Sequence, residues 1–304
     1  MRSPRGVLVL GMHRSGTSAA TRLVNLLGPA TCVPGDMVRG PWNPSGHFES
    51  RSLMHLNNSL LAQMGCTWWS PPPAGAGYGA AANRITTSRA QARRAFRRVH
   101  RGAPWVWKDP RTSVLVPFWR ATLGPRLAAV VVVRNPLEVA RSLERRHDVP
   151  VPFGLALWER YSRLILEHCA GMPVLVTRYG DLVADPDAWS AAARAFLAGL
   201  GMRLGPESGP AGAVAGFVDP ELRHSTHSRA DLETGAPGTL AVFDALEAAV
   251  GPSASFVPPG LAAEPAEVAD ELATIGPGAE LAWRPPPWAT ERGEAPSSGT
   301  EGRA

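Results

Sequence analysis

Four short runs of apolar residues, each followed by a turn that contains glycine or proline, stand out in the hydrophobic pattern of this chain. The clearest is Leu127–Val133, seven consecutive apolar residues rich in valine. Continuous runs of this length and composition are typical of strands buried on both faces of a parallel sheet. The same pattern predicts strands at Val7–Leu10, Pro104–Trp107 and Val174–Thr177.

Between these runs, apolar residues recur at helical spacing. The predicted helices begin near residues 17 and 136 and cover about residues 50–64, 88–101, 113–122, 152–170, 187–200, 239–250 and 262–274. Strands that alternate with helices in this way predict an α/β fold, with a central parallel sheet in a three-layer α/β/α arrangement. In such a sheet, ligands bind at the carboxyl ends of the strands.

The chain is predicted to consist of one core with appended segments. The alternating pattern predicts an α/β core over residues 1–204, and weaker helical signals predict an extension over residues 205–283 that packs on this core. Residues 284–304 are rich in Pro, Gly, Ser and Glu and are predicted to be disordered. Within the core, residues 66–82 are predicted to form a long irregular loop.

Composition narrows the class of protein. A chain of 304 residues, 44% of them hydrophobic, can bury a substantial core. The net charge of +5 suits an anionic ligand, but the scattered basic residues and the lack of a binding module argue against nucleic acid. Cys32, Cys66 and Cys169 have no C-x-x-C spacing, which predicts a reducing, cytoplasmic setting and no zinc site. The apolar runs are too short for a signal peptide or a membrane span.

The first predicted strand runs into a loop, residues 11–18, with the sequence GMHRSGTS. A strand, a tight loop and a helix in this order point backbone N–H groups and the positive end of a helix dipole at an anion. Arg14, Thr17 and Ser18 add side-chain donors. A Walker A loop needs lysine where Thr17 stands, so this is not a Walker A loop. The loop predicts a phosphate or sulfate site, and the alternative is a βα turn that binds nothing.

Polar side chains also follow the other three predicted strands. Lys108, Arg134 and Tyr179 stand at these strand ends, which meet at one edge of a parallel sheet. Ser142 lies two turns into the helix after Arg134, and Arg146 lies one turn further on the same face. Arg134, Ser142 and Arg146 are therefore predicted to hold a second anionic group, away from the first. The alternative is a helix-start arginine and a solvated hydroxyl.

Taken together, the motifs resemble those of the sulfotransferases that use 3′-phosphoadenosine 5′-phosphosulfate (PAPS), in the form found in bacteria. GMHRSGTS resembles their 5′-phosphosulfate loop, RNPLEVARS at residues 134–142 their 3′-phosphate motif, and TRYGDL at 177–182 their late R-Y-E-D-L segment. NPSGHFE at 43–49 and WKDPR at 107–111 resemble segments of bacterial members and, for K-D-P, of tyrosylprotein sulfotransferases. The resemblance covers about residues 6–200 and implies a P-loop-NTPase-like fold.

The resemblance implies that a sulfuryl group moves in line, without a metal, from PAPS to a hydroxyl or amine and leaves adenosine 3′,5′-bisphosphate. It implies that Lys108 neutralises the transferring group, that Arg14 stabilises charge on the bridging oxygen, and that Tyr179 contacts the nucleotide. The remaining implied contacts are Ser15, Gly16, Thr17 and Ser18 at the 5′-phosphosulfate, and Arg134, Ser142 and Arg146 at the 3′-phosphate.

The general base is the open point of this assignment. Cytosolic members of the family have histidine two residues after the lysine, where this chain has Pro110. Glu49, which follows the bacterial pattern, is expected to accept the proton, since a buried carboxylate can act as a base. Its alternative role is a carboxylate favoured by the dipole at a helix start. Asp109, His13 and His47 are the other candidates.

Two other functions stay open at this point. A P-loop kinase or NTPase would need ATP and Mg²⁺, and the missing Walker lysine disfavours it. A catalytically silent nucleotide-binding module would bind without turnover, and Pro110 in place of histidine favours it. The acceptor is expected to be a small molecule or a glycan, and the sequence does not reveal its identity or the oligomeric state.

Overall fold

A computed structural model describes residues 3–38, 47–102, 104–205, 227–235, 237–279 and 281. The strands are β1 (Gly6–Leu10), β2 (Trp105–Lys108), β3 (Leu127–Val133), β4 (Val174–Arg178) and β5 (Gly251–Ser253). They form one sheet in the order β2-β1-β3-β4-β5, in which neighbouring strands from β2 to β4 are parallel and β5 is antiparallel to β4.

Helices lie between and after the strands. In the described ranges they are α1 (Thr17–Leu26), α2 (Arg51–Gln63), α3 (Ala76–Ala82), α4 (Arg89–Val99), α5 (Pro110–Leu123), α6 (Pro136–His147), α7 (Val151–His168), α8 (Tyr179–Ala184), α9 (Pro186–Gly199), α10 (Arg229–Gly235), α11 (Pro237–Ala248) and α12 (Ala266–Ala273). No helix in these ranges is both long enough and apolar enough to cross a membrane.

Alternate residues of the strands face opposite sides of the sheet. In β1, Val7 and Val9 pack with residues of α1 and α9, whereas Leu8 and Leu10 pack with residues of α2, α5 and α7. Both β1 and β3 are buried along their whole length, which explains why their sequences are continuously apolar. The sheet is thus the middle layer of three, and the predicted α/β arrangement is confirmed.

Three helices begin at the same local sequence, an Asp or Asn followed by proline. Asp109, Asn135 and Asp185 each accept a hydrogen bond from a backbone N–H of the first turn, at 3.0, 2.9 and 2.8 Å. The proline occupies the first helical position, where a missing N–H is harmless. This cap starts α5 at Pro110, before the predicted start at Ser113.

The predicted strand at residues 127–133 has the observed bounds, and the other three predicted strands are off by one residue at one or both ends. The sheet also contains β5, which was not predicted and pairs antiparallel with β4. One prediction is wrong: the stretch 66–82 is not irregular throughout, because it ends in α3.

The segment after residue 204 contributes to the same core where it is described. In β5, Pro252 pairs with Leu175 of β4, and Val268 and Leu272 of α12 are buried in the cluster that contains α7. The boundaries of the core and the extension stay predictions. The predicted disordered tail, residues 284–304, lies outside the described residues.

Candidate functional site

The carboxyl ends of β1 to β4 meet at one edge of the sheet, and side chains from different strand ends touch there. Arg134, which follows β3, donates a hydrogen bond from Nη1 to the carbonyl oxygen of Arg14 in the loop after β1, at 2.9 Å. The Arg134 guanidinium also lies 4.5 Å from the ring centre of Tyr179, the residue that follows β4. Arg134 therefore bridges the ends of three strands.

The loop after β1 carries the start of α1 close under the Tyr179 ring. Gly16 caps α1 with φ of 88°, in the left-handed region that favours glycine. A Cβ atom at this position would overlap the ring of Tyr179. In the described structure the Gly16 cap makes no side-chain hydrogen bond to the first turn of α1. The first N–H groups of a helix are the ones that can bind an anion.

Replacing Gly16 by alanine is expected to lower the free energy of unfolding by at least about 2 kcal/mol, because the new residue combines a left-handed backbone with an overlap against Tyr179. Chemical denaturation measures this change. Gly180→Ala is the matched control, since a Cβ atom there has no neighbour within 4 Å. Equal stability of the two variants would contradict the close packing of Tyr179 on the loop.

Ser113 ties the start of the loop to α5, and sequence reasoning missed it. Its Oγ accepts a hydrogen bond from the backbone N–H of Gly11 at 3.1 Å and donates one to the Gly11 carbonyl at 3.2 Å. Ser113 is fully buried. Nothing in the local sequence distinguishes it from other helical serines, because the contact joins residues 102 positions apart.

Positive charge is concentrated between the loop and α6. Arg14 donates from Nε to the Oγ of Ser142 at 3.0 Å, so side chains of the two predicted anion-binding sets touch each other. Part of the Arg14 side chain is exposed. Even so, desolvation by the surrounding protein, followed by the positive charges of Arg134 and Arg145, lowers the pKa of Arg14 to about 10. Desolvation and the charge of Arg14 lower the pKa of Arg146 to about 10 as well.

Lys108 and Glu49 form a close ion pair at the end of β2. The Nζ and Oε1 atoms are 2.5 Å apart, and the two side chains are 2% and 12% exposed. Lys108 is the single lysine among the 304 residues of the chain. Glu49 does not cap α2, because Ser50 does so by accepting from the N–H of Leu53 at 3.1 Å. Glu49 lies one residue before this cap, and its carboxylate pairs with Lys108.

Asp109 is held by other groups. Its Oδ1 accepts hydrogen bonds from the backbone N–H and the Nη1 of Arg111, both at 3.0 Å, and its Oδ2 accepts one from Asn57 at 2.9 Å. Both oxygens are thus engaged in a site that is 1% exposed. This arrangement suits a structural carboxylate and disfavours Asp109 as the general base.

The two candidate histidines near the site are held neutral. Burial, then the charges of Arg111, His147 and Lys108, keep the pKa of His13 well below 6.5. The His13 ring lies 4.5 Å from that of Trp68, and its Nε2 has no hydrogen-bond partner in the part of the chain that is described.

His47 is held neutral for the same reason as His13. Burial, then Lys108 and Arg146, lower its pKa to about 3, so its imidazole is a weak proton acceptor. His47 belongs to the motif NPSGHFE at 43–49, of which residues 43–46 lie outside the described residues.

Within the described ranges, no group of three or more His, Cys, Asp or Glu side chains is placed to hold a metal ion.

The layered sheet and the strand–loop–helix unit at its edge define a three-layer α/β protein with a mostly parallel central sheet. No protein-family model matches the chain, and no curated protein matches it.

The solved structures that are similar in shape include two sulfotransferase domains. The sulfotransferase domain from the curacin biosynthetic pathway is 12% identical, with 93% of this chain and 100% of that chain covered and a TM-score of 0.40. The sulfotransferase domain from the Synechococcus PCC 7002 olefin synthase is 18% identical, with 93% and 98% covered and a TM-score of 0.39. Likeness at this level assigns no residue a role and identifies no substrate.

Proposed function

We propose that this protein is a PAPS-dependent sulfotransferase of the bacterial type, acting on a hydroxyl or amine of a small molecule or glycan. The observation that carries the proposal is the ion pair of the single lysine, Lys108, with Glu49. This pair stands at the same sheet edge as an anion-binding loop that lacks the Walker lysine. A kinase of this fold would place its lysine in the loop.

The charges at the edge fit a nucleotide with phosphate groups at two positions. Burial, and then the like charges of neighbouring arginines, lower the pKa values of Arg14 and Arg146, and a bound anion would stabilise both charged guanidinium groups. In the proposal, Ser15, Gly16, Thr17 and Ser18 bind the 5′-phosphosulfate, and Arg134, Ser142 and Arg146 bind the 3′-phosphate. Tyr179, which packs against Gly16, forms a wall of the nucleotide site.

PAPS supplies the activated sulfuryl group: the bond from sulfur to the bridging oxygen breaks, and a bond from sulfur to the acceptor oxygen or nitrogen forms. Lys108 turns its ammonium to the sulfuryl oxygens, and Arg14 stabilises the charge that develops on the bridging oxygen. Glu49, released from Lys108, accepts the proton of the acceptor. Positioning and fixed charge are the two tasks of the protein in such a displacement.

Calorimetric titration tests the choice of nucleotide. Adenosine 3′,5′-bisphosphate is expected to bind in the micromolar range, and a separate titration with ATP and Mg²⁺ is expected to show weaker binding. Preference for Mg-ATP would overturn the proposal in favour of a kinase or NTPase. Binding of the bisphosphate, combined with no turnover of PAPS against a panel of acceptors or water, would favour a silent nucleotide-binding module.

Replacing Arg134 by alanine is expected to weaken binding of adenosine 3′,5′-bisphosphate by about 2–4 kcal/mol, the scale for truncating one partner of a buried charged pair. Arg134 is only 10% exposed and also pairs with Glu138 at 2.8 Å, so its guanidinium is held in place. The same titration measures the change. Arg141→Ala on the exposed side of α6 is the control. A loss below tenfold would place the 3′-phosphate elsewhere.

A further inference from the structure

The distance between Glu49 and Lys108 depends on how two elements are joined. Glu49 lies directly before the Ser50 cap of α2, and Lys108 is the last residue of β2, directly before the Asp109 cap of α5. Neither side chain can reach the other unless the start of α2 is fixed against the junction of β2 and α5. The contacts between α2 and this junction therefore decide whether the pair forms.

A buried hydrogen-bond network makes that connection, and Asn57 is at its centre. The Nδ2 group of Asn57 donates to Asp109 Oδ2 at 2.9 Å and to Thr112 Oγ1 at 3.3 Å, and its Oδ1 accepts from Trp119 Nε1 at 2.9 Å. Asn57, Asp109, Thr112 and Trp119 are each at most 1% exposed. Every one of these bonds joins α2 to the β2–α5 junction or to α5.

A second contact supports the network from the surface. Arg111 Nε donates to Oδ1 of Asn58, the next residue of α2, at 2.5 Å, and Arg111 Nη1 donates to Asp109 at 3.0 Å. The carboxylate of Asp109 is thus shared between the cap of α5, the side chain of Arg111 and the side chain of Asn57. The donors and acceptors of this network are paired with one another, and satisfied buried networks hold their elements rigidly.

We propose that Asn57 is a positioning residue: through Asp109 and Trp119 it sets the start of α2, and hence Glu49, against Lys108. Its catalytic consequence rests on the proposed function, whereas the geometric claim does not. An amide suits this position, because its NH₂ group donates to a carboxylate while its oxygen accepts from an indole N–H. Aspartate at this position would face Asp109 with a like charge.

The single lysine makes the geometric claim directly measurable. Protein grown with ¹⁵N-lysine gives one side-chain Nζ resonance, which reports on Lys108 alone. Glu49→Gln calibrates the shift of this resonance when the ion pair is lost. Asn57→Ala is expected to move the resonance in the same direction by at least half as much, whereas Thr122→Val, which alters a buried hydroxyl at the far end of α5, is expected to leave it in place. An unmoved resonance in folded Asn57→Ala overturns the proposal.

Trp119→Phe provides a second test of the geometric claim if Asn57→Ala does not fold. This substitution removes one donor to Asn57 and keeps a large ring in the core. A smaller shift in the direction of Glu49→Gln is expected, and no shift overturns the proposal.

Turnover tests the catalytic consequence, with PAPS as donor and water as acceptor and release of adenosine 3′,5′-bisphosphate as the readout. Asn57→Ala is expected to lower the rate about 10- to 100-fold, the range for a small misplacement of a reacting group, with an unchanged dissociation constant for the bisphosphate. In the Glu49→Gln background the same substitution is expected to have little further effect. Additive effects overturn the proposal. If the unaltered protein shows no turnover with water or with a panel of hydroxyl and amine acceptors, the proposed function fails, and the lysine resonance still decides the positioning claim.

Discussion

Replacing Lys108 by alanine is expected to lower the rate of sulfuryl transfer about 10²- to 10³-fold, the range for removing one preorganised electrostatic contact to a developing charge. The reason is specific to this chain: Lys108 is its single lysine, is 2% exposed, and ends β2, the strand that pairs with β1 and so lies beside the proposed anion-binding loop. Release of adenosine 3′,5′-bisphosphate from PAPS measures the rate, and calorimetric titration with the same product measures nucleotide affinity.

Loss of folding must be separated from loss of catalysis in this variant, because removing Lys108 leaves Glu49 without its ion pair at a site that is 12% exposed. The double variant Lys108→Met with Glu49→Gln removes both charges and restores neutrality, so it should fold and stay inactive. Arg141→Ala, which alters an exposed ion pair, is the control that should keep full activity. If Lys108→Ala keeps most of its activity, Lys108 has no part in the mechanism.

Replacing Glu49 by glutamine is expected to slow turnover by about 10²-fold or more, the lower part of the range for general acid–base catalysis, with no change in nucleotide affinity. Glutamine has the shape of glutamate and keeps an oxygen that can accept a hydrogen bond from Lys108. It cannot accept the proton of the acceptor. The maximal rate with saturating PAPS and titration with the bisphosphate together separate these two effects.

An unchanged rate in Glu49→Gln would move the base role to a histidine. Asp109 is a poorer choice, because both of its carboxylate oxygens are engaged by Arg111 and Asn57. His13 would then be the first residue to replace, since its Nε2 has no hydrogen-bond partner among the described residues.

The sequence predicted the central strands well because burial on both faces leaves a direct trace, a continuous run of apolar residues such as 127–133. It could not predict β5, since Gly-Pro-Ser carries no strand pattern and is held by its pairing with β4. It also missed α3, a helix of small residues with glycines at 77 and 79, because its sequence resembles that of a loop. Both β5 and α3 therefore form because of tertiary packing and not because of a local sequence pattern.

The sequence likewise predicts one part of the candidate site and not the other. The grouping of residues at the strand ends follows from one rule about parallel sheets, so Arg14, Arg134 and Tyr179 could be placed together from sequence. The pairing of Glu49 with Lys108 joins residues 59 apart, and the contact of Asn57 with Asp109 joins residues 52 apart. Such contacts depend on the packing of α2 against α5, which periodicity does not describe.

The short fifth strand has a consequence for the behaviour of the protein in concentrated solution. An outer strand with unpaired N–H and C=O groups can recruit a strand of another molecule and start aggregation. Here the outer strand is β5, whose three residues pair with β4. Its central residue, Pro252, has no backbone N–H to donate and has a fixed φ. We therefore expect this side of the sheet to resist amyloid-like addition of further strands, and a substitution of Pro252 by a β-branched residue to weaken that protection.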